Sequence, residues 1–415
     1  MATGQSFNAA AATPILKHRY TTKKIETLSL QSPAVADMEK DPESGGDYFI
    51  GALRSGIPSS RSASDTVAFT LGNASTYSQW QCPWFDDYGA ANITGGAIAR
   101  AKGDANALVK AMTGEFDGIF DAMGQSLGTA MWGDGGGSIG QIASFTNSGA
   151  SPCVITLTDP NTSINFWIGQ QFQTSVDDGT AAGGVDAAIT LGTVNSVDIA
   201  NGLIGVSFTG SGPLVASHYV FMNGDYGAKF FGIPAWILTP AASAAMTSAA
   251  FNGINRTVDK TRMSGLNYDG VGSSKLGTVI TLATQINRLR GRPDRLDVNH
   301  TDFADLLKEG QGRVLNTTIK GGSDMTISFD AVNLMTPGGQ VTITPDAFVP
   351  AGYFWLRERG TWLLPSMEEV PHVIGAGIDD QEWLRVTGSD TFQLRVVYRC
   401  TTYCSAPWKN GAGKF

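Results

Sequence analysis

The residues of this chain that could do chemistry are few, and their spacing serves none of the familiar reactions. Gly135-x-Gly137-x-x-Gly140 has the spelling of a dinucleotide fingerprint. That motif works only where a strand runs into the glycines and a helix leaves them, so that a pyrophosphate meets the helix N-terminus. Here a helical pattern runs into the glycines, and they read as a helix stop followed by a tight turn. Of the four cysteines, Cys82, Cys153, Cys400 and Cys404, the last two form a C-x-x-x-C pair with no second pair to complete a zinc shell. His18, His218, His300 and His372 are far apart and sit in no His-Glu-x-x-His arrangement. Asp86-Asp87, Glu368-Glu369 and Asp379-Asp380 are pairs of a kind that can bind a cation or exchange protons. They lie in turn-rich segments, where carboxylates are ordinarily just solvated. There is no Walker loop. The expectation is a chain that is not an enzyme, with no catalytic, cofactor-binding or metal-binding residues.

The elements around these residues are more telling. From Ile98 onward apolar residues fall at helical spacing, through Ala105, Leu108, Val109, Met112, Phe116, Ile119, Phe120, Met123, Leu127 and Met131, the stripe of a helix with one buried face. The pattern predicts a helix of roughly 28 residues over 104–132, about 42 Å long at 1.5 Å per residue. Phe116, Ile119, Phe120 and Met123 are its expected packing residues. Ahead of it, Thr66–Leu71 and Tyr77–Cys82 alternate on either side of Gly72-Asn73-Ala74-Ser75, which predicts a β-hairpin within 66–92. Residues 1–65 show no sustained period and read as an extended arm, too poor in buried surface to offset its own ordering entropy. Tyr48, Phe49, Ile50 and Leu53 within it need cover.

After the glycine cluster the pattern changes. Short runs at Cys153–Leu157, Gln170–Thr174, Ala188–Val194 and Gly205–Phe208 are separated by turn formers such as Asp159-Pro160-Asn161 and Asp177-Asp178-Gly179, the spacing of a small β-barrel or sandwich. Helical pattern on both sides makes 146–228 an inserted domain. Beyond it the chain is mixed: a helix over Ser273–Leu289 closed by Gly291 and Pro293, a strand at Arg295–Val298 and a helix over Thr301–Lys308. Strands are expected at Asp324–Phe329, Gly339–Ile343, Tyr353–Leu356 and, as one long run, Thr391–Tyr403.

Composition narrows the class. The 415 residues are 42% apolar but only 16% charged, with 51 glycines. Low charge fits a surface largely covered by neighbouring subunits, and equally a Gly-rich β-protein. A net charge of −8 argues against a dedicated nucleic-acid binder; the basic clusters at Lys17-His18-Arg19, Lys23-Lys24 and Arg288–Arg295 are local. No apolar run reaches membrane-spanning or signal-peptide length. The expected site is the cytosol, with reduced cysteines.

Several phrases, in order, resemble one family. Ala101-Lys102-Gly103-Asp104-x-Asn106-Ala107 opens the long helix and Met131-Trp132-Gly133-Asp134-Gly135 ends it. Phe251-Asn252-Gly253-Ile254-Asn255-Arg256, then Gly291-Arg292-Pro293-Asp294 with Asn299-x-x-Asp302-Phe303, follow. Gln381-Glu382-Trp383-Leu384-Arg385-Val386, Phe392–Val396 and Cys404-Ser405-Ala406-Pro407 come last. Over about three quarters of its length the chain resembles tailed-bacteriophage major capsid proteins with the Hong Kong 97 fold, although His300 stands where many members have proline. The resemblance implies an α+β fold: an N-terminal arm (1–65), an E-loop hairpin (66–92), a peripheral domain with a spine helix (93–145), the inserted β-domain (146–228), an axial domain with connecting segments (229–375) and closing peripheral strands (376–415). It implies self-assembly into hexameric and pentameric capsomers of a virion shell built in the host cytoplasm, with scaffolding, portal and decoration proteins as partners. Double-stranded DNA would be held inside by weak non-specific contact, with no membrane involved. Lys17, Arg19, Lys23, Lys24, Phe69, Tyr77 and Trp80 are the expected subunit contacts. The arm starts almost at once, so a scaffold would be a separate protein or dispensable. No lysine lies between Thr66 and Asn92, so isopeptide cross-linking through the hairpin is not expected. The rival readings are an encapsulin-like compartment shell and, from another class, a soluble enzyme with a β-barrel appendage.

Overall fold

The longest apolar stripe forms the longest element: a 27-residue helix over Ala105–Met131, about 40 Å from end to end. The computed structural model describes residues 32–42, 44–58, 61–70, 74–100, 105–147, 153–181, 183–186, 189–210, 214–311, 332–374 and 383–415. The helix lies on a sheet in which Phe85–Thr94 pairs antiparallel with Thr391–Cys400 over ten residues, Thr94↔Thr391 to Phe85↔Cys400. Trp383–Arg385 and His372–Val373 share the other edge of Thr391–Cys400. Met123, Leu127, Ala130 and Met131 of the helix are buried against Ala91, Leu394, Val396 and Tyr398 of that sheet, within one core cluster.

At Gly133 the chain leaves the helix for a closed barrel of six antiparallel strands. Around its wall they run Tyr219–Met222, Ser138–Thr146, Cys153–Leu157, Leu203–Gly210, Ile189–Asp198, Gln171–Ser175 and back to the first. In the strand Cys153–Leu157 the buried residues alternate, Cys153, Ile155 and Leu157, and these meet Ile142, Phe172, Val194, Val206 and Val220 in a core of their own. Of the two shapes open to the sequence, closure selects the barrel, which leaves no free edge. It begins at Ser138, earlier than the expected 146: the strand Ser138–Thr146 directly follows the glycine turn, and its apolar residues Ile139, Ile142 and Phe145 fall three apart, which breaks the alternation that marks a strand.

The third body is a six-stranded mixed sheet in the order Leu266–Asp269, Gly411–Lys414, Tyr353–Arg357, Arg295–Val298, Gly339–Pro345, Val332–Thr336. The helices Lys275–Arg288 and His300–Gln311 cover it, placing Val279, Leu282, Ala283, Ile286 and Leu306 on Leu296, Val298, Val341, Phe354 and Leu356. Ser274 caps the first of these by accepting from Gly277 N, and Arg290 (φ 64°) with the Gly291 N–H bonded to Ile286 O closes it.

Three expectations need correction. Thr66–Leu71 is not a strand: Asp65–Thr70 is a short helix, begun by Ala68 N bonding Ser64 O and by Asp65 Oδ1 accepting from Thr66 N. Six residues of alternation are too few to outweigh a Ser-Asp helix start. The hairpin is real but pairs Thr76–Pro83 with Tyr48–Gly56, so its first strand comes from the segment assigned to the arm, while Phe85–Thr94 belongs to the sheet beneath the helix. The closing run Thr391–Tyr403 breaks at Thr401-Thr402, because Tyr403–Cys404 crosses to pair with Trp362–Pro365. The strand expected at Asp324–Phe329 and the pair Asp379-Asp380 lie outside the described residues.

Candidate interaction surfaces

The hairpin has two faces with opposite fates. In its register Phe49 faces Cys82, Gly51 faces Trp80 and Leu53 faces Ser78, while Ile50 faces Gln81, Ala52 faces Gln79 and Arg54 faces Tyr77. The first set turns to the body. Leu53, Trp80 and Cys82 are buried, Phe49 tilts against Tyr403 with ring centroids 5.2 Å apart, and Gln81 N donates to Asn252 O at 2.9 Å. Gly51 is where the Tyr403 ring passes, and a Cβ there would overlap it. The second set is open: Tyr48, Ile50 and Tyr77 are more than half exposed, and Phe69 on the helix at the far end of the hairpin is 84% exposed. A two-stranded ribbon is marginal by itself in water.

Of the residues expected at a subunit contact, Phe69 and Tyr77 are exposed and Trp80 is not. Its indole is fully buried, wedged against Trp236 and Phe251, so Trp80 anchors the hairpin within its own chain. Alternation told which face Trp80 was on but not which face had cover. Lys17, Arg19, Lys23 and Lys24 lie outside the described residues. On the long helix, Met123 is buried, Ile119 and Phe120 are packed at the edge of the main core, and Gly89 leaves room for Ile119 and Met123; the side chain of Phe116 is outside the described set.

The glycine cluster makes a joint. Gly135 and Gly137 have φ of 97° and 84°, which favours glycine. Gly136 lies so close to the barrel loop that a Cβ would overlap the Asp178 carbonyl, and one on Gly137 would overlap the Asp225 carbonyl. Tyr226 OH locks the same loop by donating to Asp177 Oδ1 at 2.6 Å while accepting from Gly184 N. Beside the joint, Lys229 Nζ sits between Asp87 Oδ2 (2.5 Å), Asp225 Oδ2 (3.1 Å) and Ser126 Oγ (2.9 Å), and Tyr398 OH donates to Asp87 Oδ2 at 2.7 Å. Sheet, helix and barrel exit are thus tied through one buried ammonium. Burial pushes the Asp225 carboxyl above its ordinary range. Burial and the neighbouring Asp178 carboxylate do the same to Asp134. Sequence reading took Asp86-Asp87 for solvated; the available signal was Lys229, the first cation after Lys110.

Chemistry is sparse elsewhere. All four cysteines are free and buried, and desolvation pushes the Cys82 and Cys404 thiols up to about 12. His218 Nδ1 pairs with Asp186 Oδ2 at 2.6 Å on the barrel. Among the described residues no group of three or more His, Cys, Asp or Glu is placed to hold a metal ion, and no helix is long and apolar enough to cross a membrane.

No protein-family model and no curated protein sequence matches this chain. Solved structures do. A chain of the cyanophage A-1(L) capsid asymmetric unit superposes with a TM-score of 0.57 at 10% identity, covering 98% of this chain and 99% of that one. The holo-SrpI encapsulin complex from Synechococcus elongatus PCC 7942 gives 0.47 at 7% identity, over 98% and 94%. The capsid of a native GTA particle gives 0.45 at 11%, over 99% of both. The fold conclusion rests on the first of these: nearly end to end, the chain has the fold of that capsid chain.

Proposed function

We propose that this chain is a major capsid protein that self-assembles into the hexamers and pentamers of an icosahedral phage head enclosing double-stranded DNA. The observation that carries the reading is the hairpin. Its root is fastened by Trp80 and Leu53 to the core, while Tyr48, Ile50, Tyr77 and Phe69 are left exposed, on a chain with the fold of a cyanophage capsid chain. In a shell the exposed face is covered by the next subunit, and many such contacts sum to more than a standard interface. The layout of a Hong Kong 97-like subunit follows with two changes of boundary: the E-loop is 48–83 and the inserted barrel begins at Ser138, with Ala105–Met131 as the spine. Scaffolding, portal and decoration proteins complete the expected partners, with DNA held without tight grip by a chain of net charge −8.

Negative-stain electron microscopy of the purified protein, alone and with a candidate scaffold, tests the proposal. Closed shells, tubes or hexameric rings are expected. Uniform small particles in both preparations would overturn it.

A further inference from the structure

The joint between long helix and barrel holds a cavity that the shell reading does not use. Its volume is about 250 Å³, and its walls include Ala130, Ile139, Trp167 and Met222, with Asp225 and Lys229 as the charged groups. Ala122 and Trp167, both exposed, stand at its mouth. An apolar hollow between two bodies, with a few placed polar groups, is the usual form of a small-molecule site.

The walls are set without a ligand. Gln125 is buried; its Nε2 donates to Ile164 O at 2.8 Å, and its Oε1 accepts from Trp167 Nε1. With that N–H taken, the Trp167 ring has only its π surface to offer, which attracts cations.

Charge decides what fits. Lys229 Nζ is shared by Asp87 and Asp225, two carboxylates for one ammonium. Burial holds the Asp225 carboxyl above its ordinary range even with Lys229 beside it, and Asp87 adds to the rise. Thr129, Gly133, Ser138 and Ile139 line both this cavity and a neighbouring groove of about 590 Å³, whose lining adds Asp134, Asp159 and Asp178 and no Lys or Arg. The sequence itself has no Lys or Arg between Lys110 and Lys229. An anion is therefore repelled and a cation attracted. Among the described residues no three His, Cys, Asp or Glu are placed to hold a metal ion, and apolar walls give a hydrated inorganic cation few partners. A cation with an apolar body of its own meets both conditions.

We infer that this cavity binds a small organic ammonium ion, with its head on the Asp225 carboxylate and its body between Trp167, Met222 and Ile139. The contact with Asp225 is a charge-assisted hydrogen bond, stronger than a neutral one. The site lies within one chain and does not rest on the shell reading.

The test is isothermal titration calorimetry of the full chain at neutral pH. Benzylamine hydrochloride is the probe, with benzyl alcohol, of nearly the same shape, and magnesium chloride as comparisons. Benzylammonium should bind saturably, about tenfold or more tighter than the alcohol, and magnesium should not displace it. Asp225→Asn, which keeps the size of the side chain, should weaken benzylammonium by about tenfold or more, the factor that losing a hydrogen bond to a charged group gives. Ala122→Phe, a change at an exposed helix position, should close the mouth and abolish binding. No saturable heat with the native protein, equal affinity for amine and alcohol, displacement by magnesium, or unchanged binding in either variant would each overturn the proposal.

Discussion

Trp80 and Trp236 meet edge to face, ring centroids 5.0 Å apart and planes at 62°, and this contact fastens the hairpin to the body. Both indoles are fully buried, and the Trp80 Nε1–H has no hydrogen-bond partner among the described residues. Trp80→Ala should therefore cost about 3–5 kcal/mol, as for other buried aromatics. Trp80→Phe, which also removes the unpaired N–H, should cost far less. Denaturant unfolding of both variants checks this; equal losses would mean the indole's size is not what holds the hairpin.

The outer face should behave in the opposite way. Phe69→Ser and Tyr77→Ser remove exposed side chains, so unfolding of the isolated subunit should shift by no more than about 0.5 kcal/mol. Assembly, followed by light scattering and electron microscopy, should fall sharply. Normal assembly in both variants would remove the hairpin from the subunit interface.

Gly136→Ala puts a methyl group into the Asp178 carbonyl. Two backbones cannot both give way, so a cost of about 1–3 kcal/mol is expected. It should be confined to the joint, visible as faster hydrogen exchange over 176–184 with the barrel core unchanged. Uniformly faster exchange throughout the barrel would contradict a local joint.

The pH dependence of the same joint has a definite sign. Asp134 is held above its ordinary value of 3.8, chiefly by burial. A carboxyl whose folded pKa is raised contributes stability that is present below the unfolded pKa and lost as pH rises through the folded one. Asp134→Asn, which can still accept from Gly136 N in place of Asp134 Oδ1, should raise the melting temperature at neutral pH. The gain should vanish below pH 3.8, where the aspartate is protonated too. A gain independent of pH would exclude titration of Asp134 as its source.

The thiols should be silent in the native protein. All four are buried, and desolvation pushes Cys82 and Cys404 to about 12, which removes the thiolate that attacks disulfide reagents. Thiol titration at mildly alkaline pH should find none reacting quickly before denaturation and all four after it. A fast-reacting native cysteine would mean that its region opens readily.

What the sequence determined by itself was whatever local periodicity records. The helix expected over 104–132 is Ala105–Met131, Arg295–Val298 is a strand end to end, and the alternating runs after Cys153 are barrel strands. The helix and the barrel strands follow from repeats of 3.6 and 2 residues; Arg295–Val298 is buried at all four positions and carries no such repeat. Partnership was decided only by the tertiary structure, because periodicity says which side chains share a face and not what covers it. Alternation over Tyr77–Cys82 marked a strand, but its pairing with Tyr48–Gly56 depends on contacts some 20 to 35 positions away in the chain. Trp80 and Tyr77 lie on opposite faces of that strand, and only the arrival of Trp236 and Phe251 buries the one and leaves the other exposed. The glycine cluster was legible as a helix stop. That it is also the close approach of two backbones, Gly136 against Asp178, is a fact about space between residues distant in the chain, which no local pattern carries.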